Sequence, residues 1–410
     1  MPTQTGQAIR MGTVVAASMF VVLAASDPHA QTSSNRYRFT TLLDSQDGLE
    51  PTRCAAINLA GTVAVQVRDT TLGINKLVTL RNAEDDPVVV AHTERVANYP
   101  TFCDNGITQI TSDPSINELG EVAFQGNLRR LSGPVACETP EQRDTPRQGV
   151  FLGRGGPLTT IAHTNNPPGA EFISEFLVAD GSVNSSGNVA LSIELRGLPL
   201  GDQGLFVGSR SGAFEERFRA SRSEFDAPSQ RMSLNELGQI AFEDNGMVVS
   251  NPDGTFQRIV DSNFGSFAVF NPSLNNFGRV AFTGFTFVGD TQLRGVFTSR
   301  GGPVTTVADS SGPFDSFSEP SLNDLGGVVF TADLDKFGPN GLPIQGVFTG
   351  SHPVRDKVLQ AGDKYEGLTI SSVFTCAEAL NNVGQIVLTV QSENPETFEV
   401  RTFIVRATPR

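Results

Sequence analysis

One short pattern, Asn-x-x-Gly-x-(Val/Ile)-(Ala/Val)-(Phe/Leu/Val), occurs seven times along the 410 residues of this chain. The copies follow one another at irregular intervals of 40 to 67 residues. A period of this length is typical of repeat folds, in which one unit cannot bury its own apolar face and stacks on its neighbours. The turn residues of the seven copies are Asn58 and Gly61, Asn117 and Gly120, Asn184 and Gly187, Asn235 and Gly238, Asn275 and Gly278, Asn323 and Gly326, and Asn381 and Gly384.

Each copy predicts a turn between two antiparallel strands. Asn in the first position can bond its own backbone, and Gly in the fourth can adopt a positive φ without steric cost. In the second repeat, short β-like segments flank the turn at 114–116 and 122–124, and two more follow at 149–151 and 159–162. Four strands per repeat are therefore expected.

Seven four-stranded units predict an all-β fold, a seven-bladed β-propeller of antiparallel blades. The last repeat has three strands of its own, whereas residues 36–44 form an unassigned strand at the start. We expect this N-terminal strand to complete the last blade and close the ring, which removes two exposed strand edges. Residues 36–410 would then form a single propeller domain. An open β-solenoid is the alternative, although solenoid coils are usually shorter and more regular.

Residues 1–30 have the pattern of a secretory signal peptide, with Arg10 before the apolar stretch 11–25 and small residues after it. A membrane anchor is the competing interpretation, but that stretch is shorter than the roughly 20 residues that a membrane span needs. We therefore expect export to the periplasm or the extracellular space, and no stable membrane insertion once the leader is removed.

Four cysteines fit disulfides in an exported chain better than a zinc site, because no Cys-x-x-Cys pair is present. Four cysteines allow three pairings. Cys54 and Cys376 precede the first and last motifs by similar distances. If those repeats are neighbours in a closed ring, Cys54 would pair with Cys376, and Cys103 with Cys137.

The formal net charge of −14 argues against binding of nucleic acid, because phosphate contacts require a basic patch and the sequence shows none. Acidity of this kind supports solubility, and it also attracts cations or basic partners. We expect a monomer whose partner is an unidentified protein or a small-molecule ligand.

Long and variable connections should gather on one face of the propeller, opposite the tight turns, and irregular loops on a rigid scaffold are where binding usually occurs. Polar residues recur where the fourth strands end and could together bind a cation or a cationic ligand. The alternative is that they only cap strand-to-loop turns. We predict no cofactor, with calcium as the ion that such a ring could hold. The candidate ligand-binding residues are Asp44, His92, His163, Asp261, Asp309 and Asp363.

Catalytic motifs are scarce. The sequence contains no Gly-x-Ser-x-Gly, His-Glu-x-x-His or phosphate-binding loop, so no catalytic residue is predicted. Carboxylates are numerous, however, and propellers can assemble an acid and base pair from residues distant in sequence.

Intact Asn-x-x-Gly-x-x-Ala-Phe copies at 117–124, 235–242 and 275–282 resemble the bacterial tandem-repeat family named after this NxxGxxAF motif. The resemblance implies an exported repeat protein, often with a C-terminal anchor, although residues 402–410 do not predict one, and it implies no enzymatic activity or site residues. We therefore expect an exported propeller that serves as a binding scaffold through its irregular loops. The alternative is a propeller hydrolase or lyase with carboxylates near the central channel.

Overall fold

The strands of the computed structural model form seven small antiparallel sheets arranged in a ring. This is a seven-bladed β-propeller, which confirms the predicted fold class. The predicted leader, Cys103 and Cys137 lie outside the described residues. The structure describes residues 36–93, 105–130, 148–164, 172–177, 182–196, 202–223, 225, 231–262, 267–338, 341–394, 397 and 399–410.

In blades 1 to 6, strands pair in the order in which they occur along the chain, with the first strand innermost. Blade 1 contains β2 (Leu49–Ile57), β3 (Val63–Asp69), β4 (Ile74–Leu80) and β5 (Val88–His92). Blade 2 contains β6 (Asn105–Ile110), β7 (Ser115–Ile116), β8 (Val122–Arg130), β9 (Gln148–Gly153) and β10 (Thr159–His163). Blade 3 contains β11 (Phe172–Leu177), β12 (Val189–Arg196), β13 (Asp202–Gly208) and β14 (Phe214–Arg219).

Blades 4 to 6 follow the same plan. Blade 4 contains β15 (Met232–Leu234), β16 (Ile240–Glu243), β17 (Gly246–Ser250) and β18 (Phe256–Asp261). Blade 5 contains β19 (Phe267–Leu274), β20 (Val280–Val288), β21 (Thr291–Ser299) and β22 (Thr305–Asp309). Blade 6 contains β23 (Phe314–Phe317), β24 (Ser321–Leu322), β25 (Val328–Phe337), β26 (Pro343–Phe348) and β27 (Lys357–Gln360). Single-turn 3-10 helices occur at Ser45–Asp47 and Ala220–Arg222.

Blade 7 combines the two ends of the chain. It contains β28 (Lys364–Tyr365), β29 (Leu368–Phe374), β30 (Ile386–Glu393), β31 (Val400–Pro409) and, as its outermost strand, β1 (Tyr37–Asp44). β1 pairs antiparallel with β31, from Tyr37 opposite Pro409 to Asp44 opposite Phe403. The predicted closure of the ring by the N-terminal strand is therefore confirmed.

The seven motifs form the hairpin turns between the first and second strands of the blades. In every copy the Gly amide donates to the Asn carbonyl at 2.8–3.1 Å, and the Gly φ lies between 72° and 82°. This left-handed conformation is open to glycine and strained for most other residues, so the fourth motif position requires Gly. The Asn side-chain oxygen also accepts backbone amides of its own turn, as Asn275 does from Phe277 and Arg279.

The motif asparagines also link the blades to one another. The side-chain amide of each one donates to the backbone carbonyl of the motif Asn in the next blade, at 2.9–3.4 Å. The seventh bond, from Asn381 to Asn58, completes a closed ring of seven hydrogen bonds. The motif thus forms a local turn and also joins neighbouring blades by hydrogen bonds.

Apolar side chains fill the space between blades. Phe124 and Phe151 of blade 2, for example, are at most 1% exposed and share a cluster with Leu77 of blade 1. The motif turns lie on one face of the ring, here called the turn face. The connections from second to third strands and from blade to blade lie on the opposite face, here called the loop face. In the part of the chain that the structure describes, no helix is long and apolar enough to cross a membrane.

Candidate binding site at the channel mouth

The wall of the central channel is built from the segments that directly precede the motif turns, and the inner edges of these segments pair with no other described strand. Unpaired backbone amides at such an edge must find other partners. A serine two residues before the motif Asn accepts the amide of the next blade, at 2.7–3.0 Å. The serines are Ser115, Ser182, Ser233, Ser273 and Ser321.

The serine pattern is interrupted where the ring closes, because Ala56 and Ala379 occupy the equivalent positions. There the amide of Ile57 donates to the backbone carbonyl of Glu378 at 3.0 Å. Glu378 has a φ of 61°, which is uncommon for a residue other than glycine. Its carboxylate accepts a hydrogen bond from the Ser115 hydroxyl at 2.8 Å. A carboxylate is therefore held in the channel wall by a specific backbone conformation.

On the loop face, charged and polar residues of five blades surround the mouth of the channel. They are Asp113 of blade 2, Arg231 of blade 4, Asn271 of blade 5, Glu319 of blade 6 and Glu378 of blade 7. Arg231 forms an ion pair with Glu319. Asn271, like Glu378, has a left-handed backbone, with a φ of 56°. Such conformations cost of order 1–3 kcal/mol and cluster at functional sites, so this mouth is the candidate site.

The cavity at the mouth is small. Its volume is about 40 Å³, which is room for roughly three water molecules at about 10–15 Å³ each. Among the described residues, its charged lining comprises three carboxylates and one guanidinium. A single functional group of a ligand can enter this cavity, and any larger ligand must rest on the loop face around it.

The disulfide between Cys54 and Cys376 lies at this mouth and joins the first and last blades, with a Cα–Cα distance of 5.8 Å. The predicted pairing of these two cysteines is confirmed. Disulfides persist in oxidising compartments, so the bond indicates a non-cytoplasmic location.

Both sulfur atoms also lie within 4.8 Å of a carboxylate oxygen of Glu319, and this is the group of described side chains that could hold a metal ion. Thiolates are the sulfur ligands of metals, and these sulfurs are bonded to each other. Calcium requires six to eight oxygen ligands. The disulfide form of this group therefore does not fit calcium, the ion that the predicted ring of strand-end residues could hold.

The six candidate residues predicted from the sequence lie where the outermost strands end, at the rim of the propeller. Asp44 pairs with Arg401 and caps the amide of Gln46. The Nδ1 atom of His92 lies 3.0 Å from the Thr93 carbonyl oxygen. The turn-capping alternative describes these contacts, which are local or stay within one blade.

The remaining rim residues have similar surroundings. Asp309 accepts the amide of Ser311 at 3.0 Å, and Asp363 accepts the Lys357 ammonium at 2.9 Å. Asp261 ends β18 with an exposed side chain. His163 ends β10, where burial lowers its pKa to about 4. Among the described side chains, these six residues supply no group of three ligand atoms within 4.8 Å.

The charged residues of the mouth were missed in the sequence. The signal that locates them is their distance from the motif, because Cys54, Asp113, Arg231, Asn271 and Glu319 each stand four residues before a motif Asn. Five of the blades thus present the same position of the inner strand to the channel mouth. Glu378 stands three residues before its motif Asn, where its left-handed backbone redirects it.

Fold and site together define a β-propeller with a charged channel mouth on its loop face. The chain belongs to a family of unknown function, DUF7453, whose pattern matches residues 17–258 and 139–402. No curated protein sequence matches this chain.

Several solved structures are similar in shape. An oligogalacturonate lyase from Vibrio parahaemolyticus is 12% identical, with a TM-score of 0.48 over 91% of this chain and 97% of that one. An oligogalacturonate lyase in complex with manganese is 11% identical, with a TM-score of 0.47 over 92% and 97%. The polysaccharide lyase Uly1 is 9% identical, with a TM-score of 0.42 over 88% and 89%. Identities this low say nothing about substrate or chemistry.

Proposed function

We propose that this protein is an exported propeller that binds a protein or small-molecule ligand on its loop face, with a cationic group of that ligand in the channel mouth. The observation that carries the proposal is the convergence of Asp113, Glu319 and Glu378 on one small cavity. In the described part of the lining, three carboxylates outnumber one guanidinium, that of Arg231, and this charge balance favours a positively charged group.

The scaffold suits a preformed site. Glu378 is held by the Ser115 hydroxyl and by its own backbone bond to Ile57. Because the disulfide and the asparagine ring fix the inner strands, ligand binding requires no rearrangement of the wall, and little ordering entropy is lost there. Export is part of the proposal, supported by the disulfide and by the leader-like segment 1–30. N-terminal sequencing of the mature protein from the native host tests it.

Thermal shift assays on the purified mature protein test the binding function, with panels of polyamines, basic peptides, amino acids and neutral and acidic oligosaccharides. A ligand at a hundredfold its Kd stabilises the native state by about 2.7 kcal/mol. We expect members of the cationic classes to raise the Tm and acidic oligosaccharides to leave it unchanged.

The site is then located with the double variant Asp113→Asn and Glu319→Gln, which removes two charges from the mouth, leaves the lining of the turn-face cavity unchanged and keeps the shapes of the side chains. The control is Asp290→Asn, an exposed carboxylate at the end of a loop-face hairpin. We expect the Kd to rise at least about tenfold in the double variant and to stay unchanged in the control. A ligand that binds both equally well contradicts the assignment of the mouth.

The second candidate is a propeller hydrolase or lyase, because two carboxylates, Glu319 and Glu378, line the same cavity and could serve as acid and base. Turnover of uronate-containing polysaccharides, followed by ultraviolet absorbance of an unsaturated product, tests the lyase. Release of reducing ends without formation of an unsaturated product tests the hydrolase. Activity that disappears in Glu319→Gln and persists in the control variant would favour this second candidate.

A further inference from the structure

The third residue of the motif is a large apolar side chain in five of the seven turns, although a turn needs no apolar residue there. These side chains are 51–81% exposed, whereas turn positions of this kind are usually polar. We call these side chains the apolar ring; they belong to Leu119, Leu237, Phe277, Leu325 and Val383. Exposed apolar groups gathered on one surface mark sites of interaction.

The turns themselves do not require this ring. The motif of blade 3 carries Ser185 and Ser186 between its Asn and Gly. That turn has the same hydrogen bonds as the others, with the Gly187 amide donating to the Asn184 carbonyl at 2.8 Å. Serine at the third position is therefore compatible with the fold, and the five apolar side chains need another explanation.

The asparagine ring ties all seven turns around the opening of the channel on the turn face, so the apolar ring surrounds that opening. Inside it, five of the seven second motif residues line a well of about 140 Å³. Three of these residues are acidic, Glu118, Glu236 and Asp324, and no Lys or Arg is among the described residues that line the well. Room for roughly ten water molecules, at about 10–15 Å³ each, is enough for the head group of a Lys or Arg side chain.

The acidic groups are positioned by neighbouring blades. Asp324 accepts the backbone amide of Asn276 at 2.8 Å, and Glu236 accepts that of Ser185 at 2.9 Å. Partial burial raises the pKa of Glu118, the Leu59 amide lowers it, and the charges of Glu236 and Asp324 raise it further. Their mutual repulsion is a cost that a bound cation would relieve.

We propose that the turn face is a second binding surface, which docks a polypeptide segment that carries a Lys or Arg flanked by apolar residues. The basic head group enters the acidic well, and its apolar neighbours pack on the apolar ring. Charge complementarity selects this occupant. A second copy bound through the same face would bring two acidic wells together, and an anionic lipid surface would be repelled by the same carboxylates.

A phage-displayed library of random peptides, panned on the immobilised full-length mature protein, tests this proposal. Three proteins are compared with wild type. The ring variant carries Leu119→Ser, Leu237→Ser and Leu325→Ser, following the natural serine of blade 3. The well variant carries Glu118→Gln, Glu236→Gln and Asp324→Asn. The control is Leu72→Ser, which removes a 62% exposed leucine from the loop face.

We expect enrichment of peptides with a basic residue between apolar ones, and calorimetric Kd values at least about tenfold weaker in both the ring and the well variants. The control should bind like wild type, and circular dichroism should show that all variants fold. Absence of enrichment, or equal binding by the well variant, overturns the proposal. Two further results would also overturn it. Dimerisation in light scattering that the ring variant abolishes would assign the face to a second copy of the chain. Sedimentation of the wild-type protein with phosphatidylglycerol vesicles would assign the face to lipid.

Discussion

Replacing a single motif asparagine separates its role within the turn from its role between blades. Asn275 is 5% exposed, and its side chain makes three hydrogen bonds. Its side-chain oxygen accepts the amides of Phe277 and Arg279, and its side-chain amide donates to the Asn323 carbonyl at 3.1 Å. Asn275→Asp retains the two acceptor bonds of the turn and loses the bond to the next blade.

A hydrogen bond contributes about 0.5–1.5 kcal/mol net, and a buried group left without a partner costs about 1–3 kcal/mol. Asn275→Ala loses all three bonds and should lower the free energy of unfolding by about 3 kcal/mol. Asn275→Asp loses one bond and places a carboxylate oxygen next to the Asn323 carbonyl oxygen, where the two repel each other. We therefore expect the free energy of unfolding to fall by about 2 kcal/mol. If the asparagine served its own turn alone, the Asp variant would be as stable as wild type.

Asn251 provides a matched control, because Asn251-Pro252-Asp253-Gly254 forms the same kind of turn at the outer end of blade 4. The Gly254 amide donates to the Asn251 carbonyl at 3.1 Å, but the Asn251 side-chain amide donates within its own turn, to Thr255. Asn251→Asp should therefore cost less than about 0.5 kcal/mol, as surface substitutions usually do.

Equilibrium unfolding in urea, followed by far-ultraviolet circular dichroism, measures these differences, since the chain contains no tryptophan for fluorescence. The m-value must stay constant for the comparison to hold. An Asn275→Asp variant with the stability of wild type would refute the inter-blade role of the ring.

Three further predictions follow from the closure of the ring and from the buried rim histidine. Deleting residues 36–44 removes the outermost strand of blade 7 and exposes the edge of β31, so the thermal midpoint should fall sharply; a deletion variant that melts like wild type contradicts the closure. Replacing Cys54 and Cys376 by serine removes a cross-link between residues 322 positions apart, which should cost up to about 5 kcal/mol in denaturation experiments; unchanged stability after the double substitution would count against this estimate. The pKa of His163 is lowered to about 4, below its ordinary 6.5, so its neutral form stabilises the fold above pH 6.5 and that contribution is lost as the pH falls toward 4. Allowing for partial screening by solvent, the free energy of unfolding should fall by about 2 kcal/mol over this pH range. In His163→Gln, the stability measured by urea unfolding should depend less steeply on pH. An equally steep loss of stability in the variant would assign the effect to other groups.

Much of the fold was predictable because its determinants are local and repeated. Asn and Gly at fixed spacing specify a turn wherever they occur, since the Asn side chain bonds neighbouring amides and Gly accepts the left-handed conformation, as at Gly278. Seven copies with four strands each left few architectures available. The missing fourth strand of the last repeat then predicted how residues 36–44 close the ring.

The sites were harder to predict, because their residues come together only when blades stand side by side. The rim residues, such as Asp309, were chosen for recurring at the ends of strands, and they bond within their own turns or blades. The mouth residues, such as Asp113 and Glu319, belong to different blades and are separated by roughly 200 residues in sequence. Their shared position four residues before a motif Asn is the one local signal, and it indicates a common site only when the blades are arranged in a ring.

The sequence by itself determined the turns, the strand order and the number of blades, because each depends on interactions between residues close together in the chain. Only the tertiary structure decided that the motif Asn also bonds the next blade, that Glu378 takes a left-handed backbone in the channel wall, and that the apolar third residues of the motif surround one acidic well. The physical reason is that these features depend on distances across the ring, which are fixed by the packing of whole blades against one another.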